Sequence, residues 1–339
     1  MVRPLTKLGA SGVLERPARG ERDARLEPRR RFLRRASLLV GGALVGGVHG
    51  CHCPPTEPGP SDLRVGAPAG SEDPWQIIEF AGDYELTEGQ GALLRLGPDA
   101  ATLPVVVALH GRGEAGRGLA AGMRGWRDDY QLERMLGRLA APPLRAADVG
   151  DMIDAERLAA INAELAARPF GGLVVACPYT PVPSSRGGGR VESFGGFVVG
   201  PLLERIAALR GAEVEVARTG IDGVSMGGRW ALELGLRFPR VFGAVGALQP
   251  AIRVEEAERF AERALAAMSV RPQSIRLATS EGDPFREPTE ALARELARRA
   301  VPHRLVLTRG PHDYAWNRGP GSLELALFHE RSLRGFVAP

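Results

Sequence analysis

The chain has 339 residues, 44% of them hydrophobic but only 6% aromatic, so a core must be built mainly from Ala, Leu and Val. Its 44 glycines and 27 prolines call for many turns and long loops. The formal charge of +4 arises at the N-terminus: residues 1–35 carry 11 basic against 4 acidic side chains, and the rest of the chain is net −3. With the N-terminus set aside, that balance implies no basic face for nucleic acid.

Residues 1–50 read as an address. Arg29-Arg30-Arg31-Phe32-Leu33-Arg34 fits the twin-arginine export pattern, and an uncharged run rich in Leu, Val and Gly follows from Ala36 to Gly50. Fifteen residues are too short to span a bilayer comfortably and suit the apolar segment of a signal peptide. The run ends Val48-His49-Gly50-Cys51, which resembles a lipobox in which Cys51 becomes lipid-modified and attaches the chain to a membrane. His49 departs from that pattern, and cleavage nearby would instead leave a free exported protein. Residues 51–74, rich in Pro, Gly, Ser and acidic side chains, read as a tether.

The folded domain is expected over residues 75–339. Strands are expected at Trp75–Phe80, Ala92–Leu96, Leu103–Leu109, Leu173–Cys177, Arg218–Ile221, Phe242–Leu248, Ile275–Thr279 and Arg304–Thr308. Several are continuous apolar runs, as in strands buried on both faces of a parallel sheet. Helical patterns lie between them at Gly200–Leu209, Arg229–Phe238, Val254–Met268 and Glu287–Ala300. The alternation predicts an α/β fold with a mostly parallel central sheet flanked by helices. Residues 112–172 are too long for a simple connection and contain two helical stretches, Asp128–Ala140 and Asp154–Arg168. Part of this insertion is expected to form a cap; the alternative is extra helical packing. Arg186–Arg190 reads as a mobile loop.

Three cysteines, Cys51, Cys53 and Cys177, make neither a disulfide framework nor a metal site, and Cys177 in an apolar strand should pack as a small buried group. There is no His-Glu-x-x-His or Cys-x-x-Cys, and Gly111–Gly118 lacks the Gly-Lys-Ser/Thr of a phosphate loop. No cofactor or metal is therefore expected.

Gly223-Val224-Ser225-Met226-Gly227 carries the most information. A serine between two glycines, at a strand-to-helix turn, resembles the nucleophile elbow of α/β-hydrolases. Such a turn exposes the hydroxyl above the sheet, while the following helix aims free N–H groups at the place where an oxyanion forms. A serine needs a histidine to take its proton, and the histidine needs an acid to orient it. The chain order of that fold is Ser, then Asp or Glu, then His. His49 and His52 fall before the domain and His110 precedes the serine, which leaves His303, His312 and His329. His312, in the loop past the last expected strand, is the choice; His303 starts that strand and His329 belongs to the final helix. Ser280-Glu281-Gly282-Asp283 supplies the acid, with Asp283 preferred over Glu281 for its looser Gly- and Pro-flanked position. The oxyanion donors are expected to be the backbone N–H groups of Met226 and Arg112, with His110 ordering the latter's loop. Tyr314 and Trp316 flank His312 and either wall a pocket or pack in the core.

Over roughly residues 100–335 the chain is similar to the esterase branch of the α/β-hydrolases that includes feruloyl esterases, S-formylglutathione hydrolases and mycolyltransferases. The resemblance rests on Gly223–Gly228 with Phe238-Pro239-Arg240-Val241-Phe242 behind it, on Leu109-His110-Gly111, on Gly282-Asp283, and on Gly310–Tyr314 with Trp316. It implies a serine esterase with Ser225, Asp283 and His312 as nucleophile, acid and base, acting on a small-molecule or polymer-linked ester, and the N-terminal segment adds the expectation that it is exported. A thioesterase, peptidase or acyltransferase would use the same groups. A non-catalytic surface binding module and an envelope structural protein are the readings outside enzymology. Arg112, Arg117, Arg124 and Arg127 are candidates to meet an acidic substrate. Oligomeric state is not legible.

Overall fold

The computed structural model describes residues 73–81, 90–183 and 188–338. The expected signal segment, most of the tether, and Cys51 lie outside them. Eight strands form one sheet: β1 (Trp75–Phe80), β2 (Gln90–Arg95), β3 (Val105–Leu109), β4 (Val174–Pro178), β5 (Thr219–Gly223), β6 (Ala244–Leu248), β7 (Ser274–Gly282) and β8 (Arg304–Pro311). Their order is β1-β2-β4-β3-β5-β6-β7-β8. β1 and β2 pair antiparallel, as do β2 and β4, and every later pairing is parallel. β3, β4, β5 and β6 are buried at every residue, because helices cover both faces. This is the mostly parallel sheet that the alternation of patterns predicts.

The strand period of two splits the core into two layers. Val105, Val107, Leu109, Ile221, Val245 and Ala247 face the helices Leu203–Arg210, Met226–Arg237, Ala257–Val270 and Arg286–Arg298. Val106, Ala108, Val175, Cys177 and Leu248 face the helices Leu132–Ala140, Ala155–Ala167 and Ser322–Leu333. Each fully buried Val or Leu contributes about 1.5–3 kcal/mol of transfer free energy. Cys177 packs among these residues with 1% exposure, and burial pushes its thiol pKa up, so it is an inert core group.

The long interval after β3 divides in use. Its two longer helices belong to the second layer and not to a cap. Asp154 caps the second of them by accepting the Arg157 N–H at 2.8 Å, and Arg157 pairs with Glu324 on the C-terminal helix. The apolar stripes Leu132, Met135, Leu136, Leu139 and Leu158, Ile161, Leu165 supply the reason: burying them against the sheet outweighs leaving them over a cleft. The portion from Arg112 to Tyr130 is built of short helical turns, and Glu114 and Tyr130 within it lie against Gly111, the residue that faces Ser225.

Three other expectations are corrected. The helix expected at Gly200–Leu209 is the end of a longer path: a helix from Gly188 to Phe197, a wide π-turn over Val198–Leu202 that accommodates Pro201, then Leu203–Arg210. Gly188–Arg190, expected in a loop, open that helix. β7 and β8 run three residues further than their apolar cores, with an irregularity at Ser280/Gly282 and the pairing Gly282↔Pro311. That extension carries Asp283 and His312 to adjacent positions above the sheet.

Candidate active site

The order β4-β3-β5 places β3 at the point where successive connections diverge to opposite sides, and crevices form there at the carboxyl ends of parallel strands. Ser225 stands at that end. Val224 bridges to Leu248, and the Ser225 N–H donates to the Leu248 carbonyl at 2.9 Å. The serine adopts φ 56° and ψ −115°, a conformation that costs about 1–3 kcal/mol for a residue with a side chain. The flanking glycines make it possible. A Cβ on Gly223 would lie 2.4 Å from the Gly227 carbonyl carbon, and one on Gly227 would lie 2.2 Å from the Leu109 carbonyl oxygen.

His312 follows β8, with Nε2 3.0 Å from Ser225 Oγ and Nδ1 2.9 Å from Asp283 Oδ1. A carboxylate only accepts, so Nδ1 carries a proton, and in the neutral tautomer this fixes Nε2 as the acceptor facing the hydroxyl. Asp283 has no exposed side-chain surface. Its Oδ2 accepts the Thr279 hydroxyl at 2.6 Å and its Oδ1 also accepts the Phe285 N–H at 3.0 Å, so every lone-pair direction used is fixed. The Phe285 ring meets the imidazole edge-on at 5.3 Å. The structure thus brings together the three residues that the sequence singles out. A hydroxyl, an imidazole acceptor and an orienting carboxylate in this geometry can transfer a proton away from the hydroxyl oxygen.

Met226 and Arg112 each begin a helix, Met226–Arg237 and Arg112–Ala115, so neither N–H has an intrahelical acceptor. Gly111 stands against the serine: a Cβ built on it would lie 3.9 Å from Ser225 Cβ. His110, fully buried, organises this turn. Its Nε2 accepts the Thr180 N–H at 2.8 Å, so Nδ1 is the donor and holds the Gly111 carbonyl at 2.9 Å. The Arg112 N–H belongs to the same trans peptide and is therefore turned the opposite way from that carbonyl. Burial lowers the His110 pKa to about 4, which keeps the ring neutral and its donor and acceptor roles unchanged at neutral pH.

Three features escaped the sequence. Gln249, buried with φ 43°, donates from Nε2 to Ser280 Oγ at 2.8 Å and to the Pro311 carbonyl at 3.1 Å, tying the end of β6 to the residue before His312. Glu114, 2% exposed, accepts hydrogen bonds from the hydroxyls of Tyr130 and Tyr314. Asp222 and Arg276 form a buried ion pair beneath the elbow, and His329 hydrogen-bonds to the same carboxylate. None has a sequence signal beyond its residue type.

The remaining candidates fall elsewhere. His303 bonds the Val301 carbonyl at the opposite end of β8, and Glu281 is exposed. Trp316 is a core residue whose Nε1 donates to Thr308 Oγ1 at 2.8 Å, whereas Tyr314 is 41% exposed beside the site. Arg117 pairs with Asp129, and Arg127 pairs with Asp128 at 2.6 Å, so two of the four insertion arginines are matched within the chain. Among the described residues no cluster of His, Cys, Asp and Glu is placed to hold a metal, and no helix is long and apolar enough to cross a membrane.

No protein-family model matches the chain, and no curated protein matches it in sequence. Solved structures do resemble it. A ferulic acid esterase superposes with TM-score 0.54 at 15% identity, covering 76% of this chain and 97% of its own. An S-formylglutathione hydrolase from Staphylococcus aureus superposes with TM-score 0.53 at 12% identity, covering 76% and 98%. A ferulic acid esterase from Anaeromyces mucronatus, solved with ferulic acid, gives TM-score 0.50 at 15% identity, covering 80% and 94%. At such identities the likeness carries the fold, which is that of the α/β-hydrolases, and leaves the chemistry to the site.

Proposed function

We propose that this chain, an α/β-hydrolase by fold, is a serine esterase that cleaves carboxylic esters through an acyl-enzyme. The observation that carries the reading is the continuous relay from Asp283 to His312 to Ser225, at 2.9 and 3.0 Å. In this mechanism Ser225 Oγ attacks the ester carbonyl carbon while His312 Nε2 takes its proton. Asp283 stabilises the resulting imidazolium and holds its ring plane. The Met226 and Arg112 N–H groups hold the oxyanion of the tetrahedral intermediate. As the intermediate collapses, the alcohol leaves with the proton from His312. Water then attacks the acyl-Ser225 carbonyl by the same route and releases the acid. No metal or cofactor is required. The likeness in fold to a ferulic acid esterase and an S-formylglutathione hydrolase supports an ester or thioester substrate, small or polymer-linked.

We also propose that the protein acts outside the cytoplasm, exported through Arg29–Arg34 and attached to a membrane through lipidated Cys51. Mass spectrometry of the membrane fraction would report a diacylated Cys51 at the new N-terminus, and a free protein cleaved elsewhere would refute the attachment.

The test of the activity is fluorophosphonate labelling with turnover of p-nitrophenyl acetate and octanoate. Labelling and turnover that both vanish in Ser225→Ala are expected. A folded wild-type protein that neither labels nor turns over these esters would be a binding module on a hydrolase scaffold.

A further inference from the structure

Glu114 lies on the short helix after β3, facing away from solvent, and the relay just described does not use it. Its two oxygens are used differently. Oε2 accepts the Tyr130 hydroxyl, and that same hydroxyl oxygen accepts the Gly111 N–H at 3.1 Å. Oε1 accepts the Tyr314 hydroxyl at 2.7 Å, with Arg117 3.7 Å away. Gly111 belongs to the turn that presents the Arg112 N–H, and Tyr314 is two residues past His312. A Cβ on Gly111 would meet Glu114 Oε2 at 3.0 Å and Tyr130 OH at 3.1 Å, so no slack remains between the carboxylate and the turn. A Cβ on Gly113 would touch Tyr314 OH at 3.4 Å, which places this phenol directly on the same turn. The Tyr130 and Tyr314 rings approach with centroids 6.0 Å apart. Hydrogen bonding to Glu114 pushes the Tyr314 pKa up to about 12, so the phenol remains a donor throughout the working pH range.

We propose that Glu114 is a positioning residue for ester hydrolysis, joining the turn that carries one oxyanion donor to the loop that carries the base. The inference rests on the esterase reading above. One buried carboxylate, through two phenols, fixes the spacing between Arg112 N–H and His312, two groups that must act on the same carbonyl. β3 and β8 are not neighbours in the sheet, so no strand pairing sets that spacing. The side-chain bridge supplies it. The benefit arises in the transition state, when both the oxyanion and the imidazolium are formed, and so should appear in kcat more than in KM.

The experiment is steady-state turnover of p-nitrophenyl acetate by the full chain and its variants, each first shown to be folded by circular dichroism and thermal unfolding. Tyr130→Phe and Glu114→Gln should each lower kcat about 10–100-fold with KM within about twofold, less than the loss of an oxyanion donor itself. Tyr314→Phe, which keeps the ring and removes one oxygen, should lower kcat about 3–10-fold. In a Glu114→Ala background the same Tyr314→Phe change should add less than about 1.5-fold, because its partner is already absent. Wild-type kcat in folded Tyr130→Phe and Tyr314→Phe would overturn the inference while leaving the esterase reading intact. So would a rise in KM at unchanged kcat, or a Tyr314→Phe effect undiminished in the Glu114→Ala background. Wild-type protein that neither turns over ester nor labels with fluorophosphonate would remove the esterase reading and this inference with it.

Discussion

Replacing Asp222 by alanine isolates the energetics of the buried polar trio Asp222, Arg276 and His329 beneath the elbow. Arg276, Asp222 and His329 have no exposed side-chain surface. Asp222 Oδ2 receives both the Arg276 guanidinium and His329 Nε2, the latter at 2.9 Å, and Oδ1 accepts the Gly223 N–H at 2.8 Å. Room for the trio comes from glycines in the strands: a Cβ on Gly246 would lie 2.0 Å from Asp222 Oδ2, and one on Gly220 would lie 2.2 Å from His329 Nδ1. Burial lowers the His329 pKa, so His329 is neutral and Asp222 is the sole counter-charge of Arg276 in this trio. Without it the guanidinium keeps one bond, from Nη1 to the Ala247 carbonyl at 3.1 Å, and its Nε has no partner. Removing one member of a buried pair costs about 3–5 kcal/mol, because a desolvated charge is left uncompensated. For a domain of this size that lowers Tm by about 6–20 °C. The assay is urea unfolding at pH 7.5, followed by circular dichroism, of wild type, Asp222→Ala and Asp222→Ala/Arg276→Met. The double variant should recover at least half of the loss, since the orphaned charge is gone. Two results would refute the reasoning: a single variant within about 1 kcal/mol of wild type, or a double variant no more stable than the single.

Acid should destabilise the fold early. His110 and His329 both have folded pKa values below the unfolded 6.5, so their contribution is present above pH 6.5 and is lost as pH falls toward the folded values, about 4 for His110. Urea unfolding free energies should therefore decline between pH 6.5 and 4, on the order of 3 kcal/mol from His110 alone, and a flat profile in that window would contradict the neutral buried ring. Gly227→Ala should yield no active folded protein, because its Cβ would lie 2.2 Å from the Leu109 carbonyl; wild-type turnover by that variant would mean that the elbow can shift. Thr279→Val removes the 2.6 Å donor to Asp283 and should lower kcat roughly tenfold, checked by p-nitrophenyl acetate kinetics, with unchanged kcat showing that the Phe285 N–H alone orients the acid.

The sequence by itself determined the local parts. Apolar β-branched runs such as Val105–Leu109 must be buried on both faces, and their alternation with helical stretches leaves a parallel sheet as the economical layered solution. The spacing Gly-x-Ser-x-Gly determined the elbow, since the backbone contacts at Gly223 and Gly227 admit no Cβ. Ser225, Asp283 and His312 were legible because each follows a strand, and strand ends are where side chains leave the sheet together. What the tertiary structure decided was everything that depends on distant segments meeting. Whether the helices after β3 cap the site or pad the sheet turns on how much apolar surface the sheet leaves bare, a property of no single window. The trio of Asp222, Arg276 and His329, the bridge through Glu114, and the clamp by Gln249 join residues 16 to 200 positions apart. Polar groups of that kind carry no periodicity, and their stability comes only from partners that the fold delivers after burial has removed water.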